Sequence, residues 1–327
     1  MGMTVVLVTG GAGYIGSHAC KALAAHGFTP VTYDSLIHGH REVVKWGPLE
    51  VGDVGDADLL QAVVRRWKPE AVMHFAGLIA VGESVREPAA YYRANVAASI
   101  TLLDVMRYAG ITSIVFSSSA AVYGAPERLP VAEDAPLLPT SPYGRSKLMV
   151  EQMLADHAAA YGLKWAALRY FNACGADPGG ETGEDHQPET HLIPRALMAA
   201  AGDIPYLDLF GTDYPTEDGT CVRDYVHVSD LAEMHVAALA HLSAGRRSGA
   251  FNLGTGRGWS NRQIIAAVER VTRGRVALKL AGRRPGDPPV LVADPRRAEA
   301  ELRVSARHTD LDAIVESAWS WYRRHRR

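Results

Sequence analysis

The chain has 327 residues, 47% of them hydrophobic, and a formal net charge of −2. That length exceeds what a single hydrophobic core usually serves, so two lobes are expected. The near-neutral charge argues against a nucleic-acid partner, and no apolar run is long enough to span a bilayer. Cys20, Cys174 and Cys221 are odd in number and scattered, which fits a reducing cytoplasm and gives no disulfide framework. The first strand begins almost at once, so no signal peptide is expected.

In chain order, Val5–Val8 reads as a buried strand that breaks into Gly10, Gly11 and Gly13, with a helical pattern after Gly16. The spacing Gly10-x-x-Gly13-x-x-Gly16 lets the chain turn sharply and lets a pyrophosphate approach main-chain N–H groups at a helix N-terminus. Three glycines alone are a weak signal. Here the required strand precedes them, a helix follows, and Asp34 closes the next apolar run about 20 residues on. A carboxylate there accepts from an adenosine 2′-OH and repels a 2′-phosphate, so the cofactor is expected to be NAD rather than NADP.

Further strands are predicted near Val31–Tyr33, Ala71–Phe75, Ile114–Phe116 and Trp165–Leu168. They alternate with helices over Ser17–His26, Ala57–Trp67, Ala89–Tyr108 and Pro142–Tyr161. This alternation implies an α/β fold, a doubly wound and mostly parallel Rossmann sheet, with a smaller α/β substrate-binding lobe. Residues 1–175, joined by parts of 222–252, are assigned to the first lobe and 176–327 to the second. Asp177–Glu189 is rich in Gly, Pro and acid and reads as an exposed loop between them. Val222–Leu242 reads as a strand and then a helix, and Arg323–Arg327 as a solvated tail. Ligands bind beyond the carboxyl ends of such strands. That places Gly10–Gly16, Asp34, Asp53-Val54, Phe75-Ala76-Gly77 and Ser117-Ser118-Ser119 along one rim.

Ser141 caps a helix whose first residue is Pro142, so Tyr143 and Lys147 fall at i and i+4 on one face. An ammonium beside a phenol favours the phenolate and brings its pKa of about 10 toward neutrality, which makes a general base. Ser119, at a strand end, is placed to bind the same substrate hydroxyl as Tyr143. Ser118 is read as satisfying local backbone groups. His74, His227 and the other histidines show no ligand spacing and are read as structural, with no metal expected.

The segments TGGAGYIGSH, HFAGLIAVGES, SSSAAVYG and SPYGRSK resemble an extended short-chain dehydrogenase/reductase. RYFNACGADP, FGTDYPTEDGTCVRDYVHVSDLA and RRPGDPP narrow the resemblance to the UDP-glucose (UDP-galactose) 4-epimerases, from Val5 to about Trp321. The resemblance implies that Tyr14, Ile15 and the segment Asp34, Ser35, Leu36, Ile37, His38 and Gly39 contact NAD. It adds Asp53, Val54, Phe75, Ala76, Gly77, Leu78 and Ile79, and further along Asn95, Ser117, Tyr170 and Phe171. Lys147 would hold the nicotinamide ribose while tuning Tyr143. Asn172, His191, Leu192, the strand Asp208, Leu209 and Phe210, and Arg223, Arg284 and Asp287 would grip the nucleotide-sugar. Two arginines suit a diphosphate, to which the guanidinium offers a rigid fork of donors.

Three positions depart from the best-known bacterial pattern. Ile79 stands where a lysine near the cofactor is often found, and His191 replaces an asparagine that contacts UDP. Leu291 stands where a tyrosine can line the pocket for the sugar's 2-substituent. The resemblance implies C4 epimerisation through a 4-keto sugar, in galactose metabolism, by a homodimer. A 4,6-dehydratase of the same superfamily would need an acid pair where this chain has Ala120-Ala121. A UDP-glucuronate epimerase or decarboxylase differs only in pocket residues, and a non-catalytic NAD-binding protein would usually lack the Tyr/Lys pair.

Overall fold

Short runs of Val, Ile and Leu that are buried on both faces make strands for a parallel sheet covered by helices. The computed structural model describes residues 4–284 and 286–325. The first six strands are Val5–Thr9 (β1), Thr29–Asp34 (β2), Leu49–Val51 (β3), Ala71–His74 (β4), Ser113–Ser117 (β5) and Lys164–Tyr170 (β6). Asn172–Cys174 (β7), Leu207–Phe210 (β8), Val222–His227 (β9) and Gly249–Leu253 (β10) follow. Gly258–Ser260 (β11), Leu278–Ala281 (β12) and Val290–Leu291 (β13) complete the set. Seven strands pair in the order β10-β6-β5-β4-β1-β2-β3, every neighbour parallel. The winding reverses between β1 and β4, and in such a sheet the crevice at the carboxyl ends of those strands receives the ligand. The doubly wound α/β fold expected from the alternation is the one observed.

Two apolar layers cover this sheet. On one side the Tyr14–Ala25 and Val228–Ser243 helices bury Leu23, Leu231 and Leu239 against Val6, Val8 and Phe251. On the other, the Ala57–Trp67, Ala98–Ala109 and Pro142–Tyr161 helices bury Leu60, Leu102 and Leu154 against Leu7, Ile114 and Phe116. A third core gathers β8 with the Leu192–Ala201, Asn261–Thr272 and Leu311–His325 helices. Beside it lie β11-β9-β13, with β7 on β9, and the pair β12-β8.

Four local expectations are corrected. The first helix starts at Tyr14, so Gly16 lies inside its opening turn; a Cβ there would sit 2.2 Å from the Gly10 carbonyl oxygen. The single helix over Ala89–Tyr108 is instead Pro88–Tyr91, a π-helical turn Tyr92–Ala97 and Ala98–Ala109. Nothing in its composition marks that turn, which buries Asn95 beneath the 75–79 loop. Asp177–Glu189 is not an exposed loop throughout. Asp177 and Thr182 are buried because Lys21 pairs with Asp177 at 2.8 Å and Ser17 bonds Thr182 at 2.6 Å. At the C-terminus, Arg323, Arg324 and His325 form the last helical turn, His325 stacking on Trp321; Arg326 and Arg327 lie outside the described residues.

Candidate active site

The glycine loop is shaped by close approach. Gly10 has φ 73°, and a Cβ on it would meet the Ala76 nitrogen at 2.6 Å, so a side chain is excluded where β1 and β4 deliver their loops side by side. Gly13 caps the following helix without a side chain, leaving the helix start open to an anion. Asp34 ends β2 and is buried. Its Oδ2 accepts from the Ala12 amide at 3.0 Å and its Oδ1 from Leu36 at 2.9 Å, so one carboxylate ties the glycine loop to the Ser35–Gly39 turn. A carboxylate has about four acceptor sites, which leaves capacity for a ribose. The loop, the close-packed glycines and the acidic strand end together fit a dinucleotide.

Around this cradle, Ser35, Ile37 and His38 are exposed, as are Asp53 and Ile79. Val54 is buried beyond β3, and Tyr33 donates to the Asp53 carbonyl at 2.9 Å. Asn95 accepts from the Leu78 amide at 2.8 Å and donates to the Leu78 carbonyl and the Ser146 hydroxyl, each at 3.0 Å. Both its amide hydrogens are therefore engaged, and it holds the Phe75–Ile79 loop against the Pro142–Tyr161 helix.

That helix carries Tyr143 and Lys147, both buried, and Ser141 caps it by accepting from Gly144 at 3.1 Å. Lys147 Nζ donates to the Ser117 carbonyl at 2.9 Å and stands 5.8 Å from the centre of the Tyr143 ring. Ser119 caps the Ala120–Val122 turn, its oxygen accepting from Ala121 at 3.2 Å, and the Ser117 hydroxyl bonds that of Tyr170. Burial raises the Tyr143 pKa above 10, and a hydrogen bond from Ser119 acts against it. Burial also pulls Lys147 down to about 8. The expected depression of Tyr143 by its lysine is thus corrected for the protein alone, because desolvation outweighs the other effects on the phenol.

Behind these residues lies a buried network that sequence reasoning missed. Ser118 does not serve local backbone; it donates to Glu151 Oε1 at 2.5 Å. Arg169 on β6 forks onto Glu151, Nε to Oε1 at 3.0 Å and Nη2 to Oε2 at 2.5 Å, while its Nη1 donates to the Tyr123 hydroxyl at 2.8 Å. Glu151 follows Lys147 by four residues on the same helical face, which is the one sequence hint of its place.

The residues expected to grip the nucleotide-sugar lie on separate strands and loops. Arg223 on β9 reaches Asp287 at 3.4 Å, and the Arg284 guanidinium lies 4.0 Å from the centre of the Phe210 ring. Asp287 donates its amide to the Arg284 carbonyl at 3.3 Å, and a Cβ on Gly286 would touch Thr140, just before the Pro142–Tyr161 helix. Asp208 pairs with Arg195 at 3.7 Å and Leu209 is buried, whereas Asn172 sits opposite Tyr225 in the β7–β9 pair. Leu291 pairs with Arg223 in register, and its side chain packs with Phe171 on the Ala120, Val122 and Tyr123 cluster. His191 precedes the helix that begins at Leu192, and its ring turns toward Glu184 and Glu189.

Residues 6–254 match the NAD dependent epimerase/dehydratase family. The chain belongs to that family. It is 54% identical over 319 residues to a UDP-glucose 4-epimerase of Azospirillum brasilense, covering 97% of this chain and 92% of that one. Among solved structures it is similar to the Brucella ovis UDP-glucose 4-epimerase in complex with NAD. The TM-score is 0.95 and the identity 51%, over 97% and 98% of the two chains. It is also similar to the Bifidobacterium longum enzyme in complex with NAD+ and UDP, with a TM-score of 0.93 and 39% identity over 98% and 99%. The resemblance carried by the sequence motifs is therefore borne out at the level of family and fold. Outside those motifs, the Glu151–Arg169 network had no signature, because its members meet only across the fold; the Glu/His cluster at residues 184–191 is local in sequence and reads there simply as part of a polar loop.

Proposed function

We propose that this epimerase-family chain inverts C4 of a UDP-hexose, interconverting UDP-galactose and UDP-glucose with NAD. The observation that carries the reading is the juxtaposition of Tyr143, Lys147 and Ser119 with a glycine-loop cradle closed by Asp34. When bound in the Asp34 cradle, NAD would supply the acceptor and donor of a hydride at C4. Tyr143 takes the proton of the 4-hydroxyl and gives it back. Ser119 orients that hydroxyl, and Lys147 fixes the Ser117 strand end beside it. Arg223 and Arg284 hold the diphosphate, so the sugar can turn over while its nucleotide stays anchored. Positions 120 and 121 present methyl groups, which cannot move a proton, so the dehydratase alternative is not favoured. The test is to add UDP-galactose to purified protein without cofactor. UDP-glucose should form, and denaturation should release NAD and not NADP.

The assembly in this reading is a homodimer built on the Ala98–Ala109 and Pro142–Tyr161 helices, in a reducing cytoplasm. Ile100, Tyr108, Met149 and Tyr161 are exposed there, and Arg107 lies over both the Tyr108 and Tyr161 rings. Among the described residues no helix is long and apolar enough to cross a membrane, and all three cysteines are free and buried.

Substrate range in this reading turns on Leu291. Leu291 packs on the Ala120, Val122 and Tyr123 cluster, and in this reading leucine leaves room for an acetamide that a phenol would fill. The enzyme should also interconvert the 2-N-acetyl sugars, more slowly. Leu291→Tyr should abolish that turnover and spare UDP-galactose; equal loss of both activities would remove Leu291 as the gate.

A further inference from the structure

Four side chains of the loop before the Leu192–Ala201 helix converge on one point: Glu184, His186, Glu189 and His191. One ligand atom from each lies within 4.8 Å of all the others. His191 Nδ1 stands 2.6 Å from Glu184 Oε1 and 3.3 Å from Glu189 Oε1. His186 Nδ1 stands 3.2 Å from Glu184 Oε1 and 3.9 Å from Glu189 Oε2. Four ligands on a tetrahedral zinc at bond lengths of 2.0–2.1 Å are about 3.3 Å apart, in the middle of these separations. The His191 Nδ1 atom is shut off from solvent and makes no aligned hydrogen bond, although the opposite edge of the ring is open. Its Nδ1 thus faces both carboxylates at ligand–ligand distances with no well-aligned hydrogen bond to either. Ligation requires both imidazoles in their neutral form, and the two carboxylates then leave a charge of −2, which a divalent cation neutralises.

We infer that Glu184, His186, Glu189 and His191 form a site for one zinc-type divalent transition-metal ion, distinct from the Tyr143 centre. Its place is structural. The Trp321 indole donates to the Glu184 carbonyl at 3.0 Å, the Tyr14 ring meets His186 edge-on, and His191 opens the Leu192–Ala201 helix. An ion there clamps the C-terminal helix and the loop to the helix that starts at the glycine loop. The competing arrangement is a metal-free cluster of imidazolium–carboxylate pairs.

The test uses the tag-free, NAD-loaded full chain, stripped with EDTA, exposed to zinc or cobalt(II) and desalted. Elemental analysis should find about one zinc per chain, and the cobalt form should show the intense visible bands of a four-coordinate ion. Zinc should raise the thermal midpoint by about 5 °C or more. The His186→Ala, His191→Ala double variant should bind zinc more than about 100-fold more weakly. Where that variant does not fold, Glu189→Gln serves instead, and it should lose the four-coordinate cobalt spectrum. Wild-type protein that keeps no stoichiometric zinc overturns the inference in favour of the ion-paired cluster. Zinc binding that both variants leave intact overturns it equally, since the ion would then sit elsewhere.

Discussion

Replacing Tyr143 with phenylalanine is expected to lower kcat by about a hundredfold to ten-thousandfold, the range for losing a positioned acid/base. The change removes one oxygen from a buried ring and leaves the helix, its Ser141 cap and the Lys147–Ser117 contact in place. Fold and bound NAD should therefore persist, with the loss carried by the chemical step rather than by KM. Steady-state kinetics on protein of verified NAD content would show it. Burial raises the Tyr143 phenol and only the Ser119 hydrogen bond opposes this, so Ser119→Ala should add a further loss in the wild-type background and little in the phenylalanine variant. Near-normal turnover by Tyr143→Phe would remove the tyrosine from the reaction.

The second large effect concerns Arg169, which touches no proposed ligand. Arg169→Leu leaves the Glu151 carboxylate buried with Ser118 as its remaining side-chain partner. Breaking a buried pair from one side typically costs about 3–5 kcal/mol, because a charge is left uncompensated. Urea unfolding at matched NAD content should show a loss of that order. Glu151→Leu combined with Arg169→Leu should lose less than either single change, since no orphan charge remains. Turnover should fall too, because Ser118 stands between Ser117, the lysine's acceptor, and Ser119. A single-variant loss below about 1 kcal/mol would mean that water reaches the pair.

Much of the fold could be read from local sequence. Apolar runs and glycine punctuation located the strands that end at Asp34 and Ser117 but not the short Leu49–Val51 strand, and i, i+4 spacing placed Tyr143 with Lys147. Each of those signals is confined to a few residues, where sequence distance and spatial distance agree. The π turn at 92–97 was not legible, because its cause is a tertiary one: Asn95 must reach Leu78 and Ser146. The burial of Asp177 and Thr182 was hidden for the same reason, since their partners Lys21 and Ser17 lie far back in the chain. Composition marked that loop as polar and hence exposed, but polar groups can be buried once they are paired. Glu151 and Arg169 are 18 positions apart, on a helix and a strand, and no periodicity links them.

In the proposed reaction a hydride leaves C4 of the sugar and returns to the same carbon, while Tyr143 moves only the hydroxyl proton. UDP-galactose carrying deuterium at C4, incubated with the enzyme in ordinary water, tests this most directly. UDP-glucose should form with the deuterium retained at C4 and with no added cofactor. Deuterium lost to solvent would mean that C4 is deprotonated rather than oxidised, and the assigned roles of Tyr143 and the dinucleotide cradle would be contradicted.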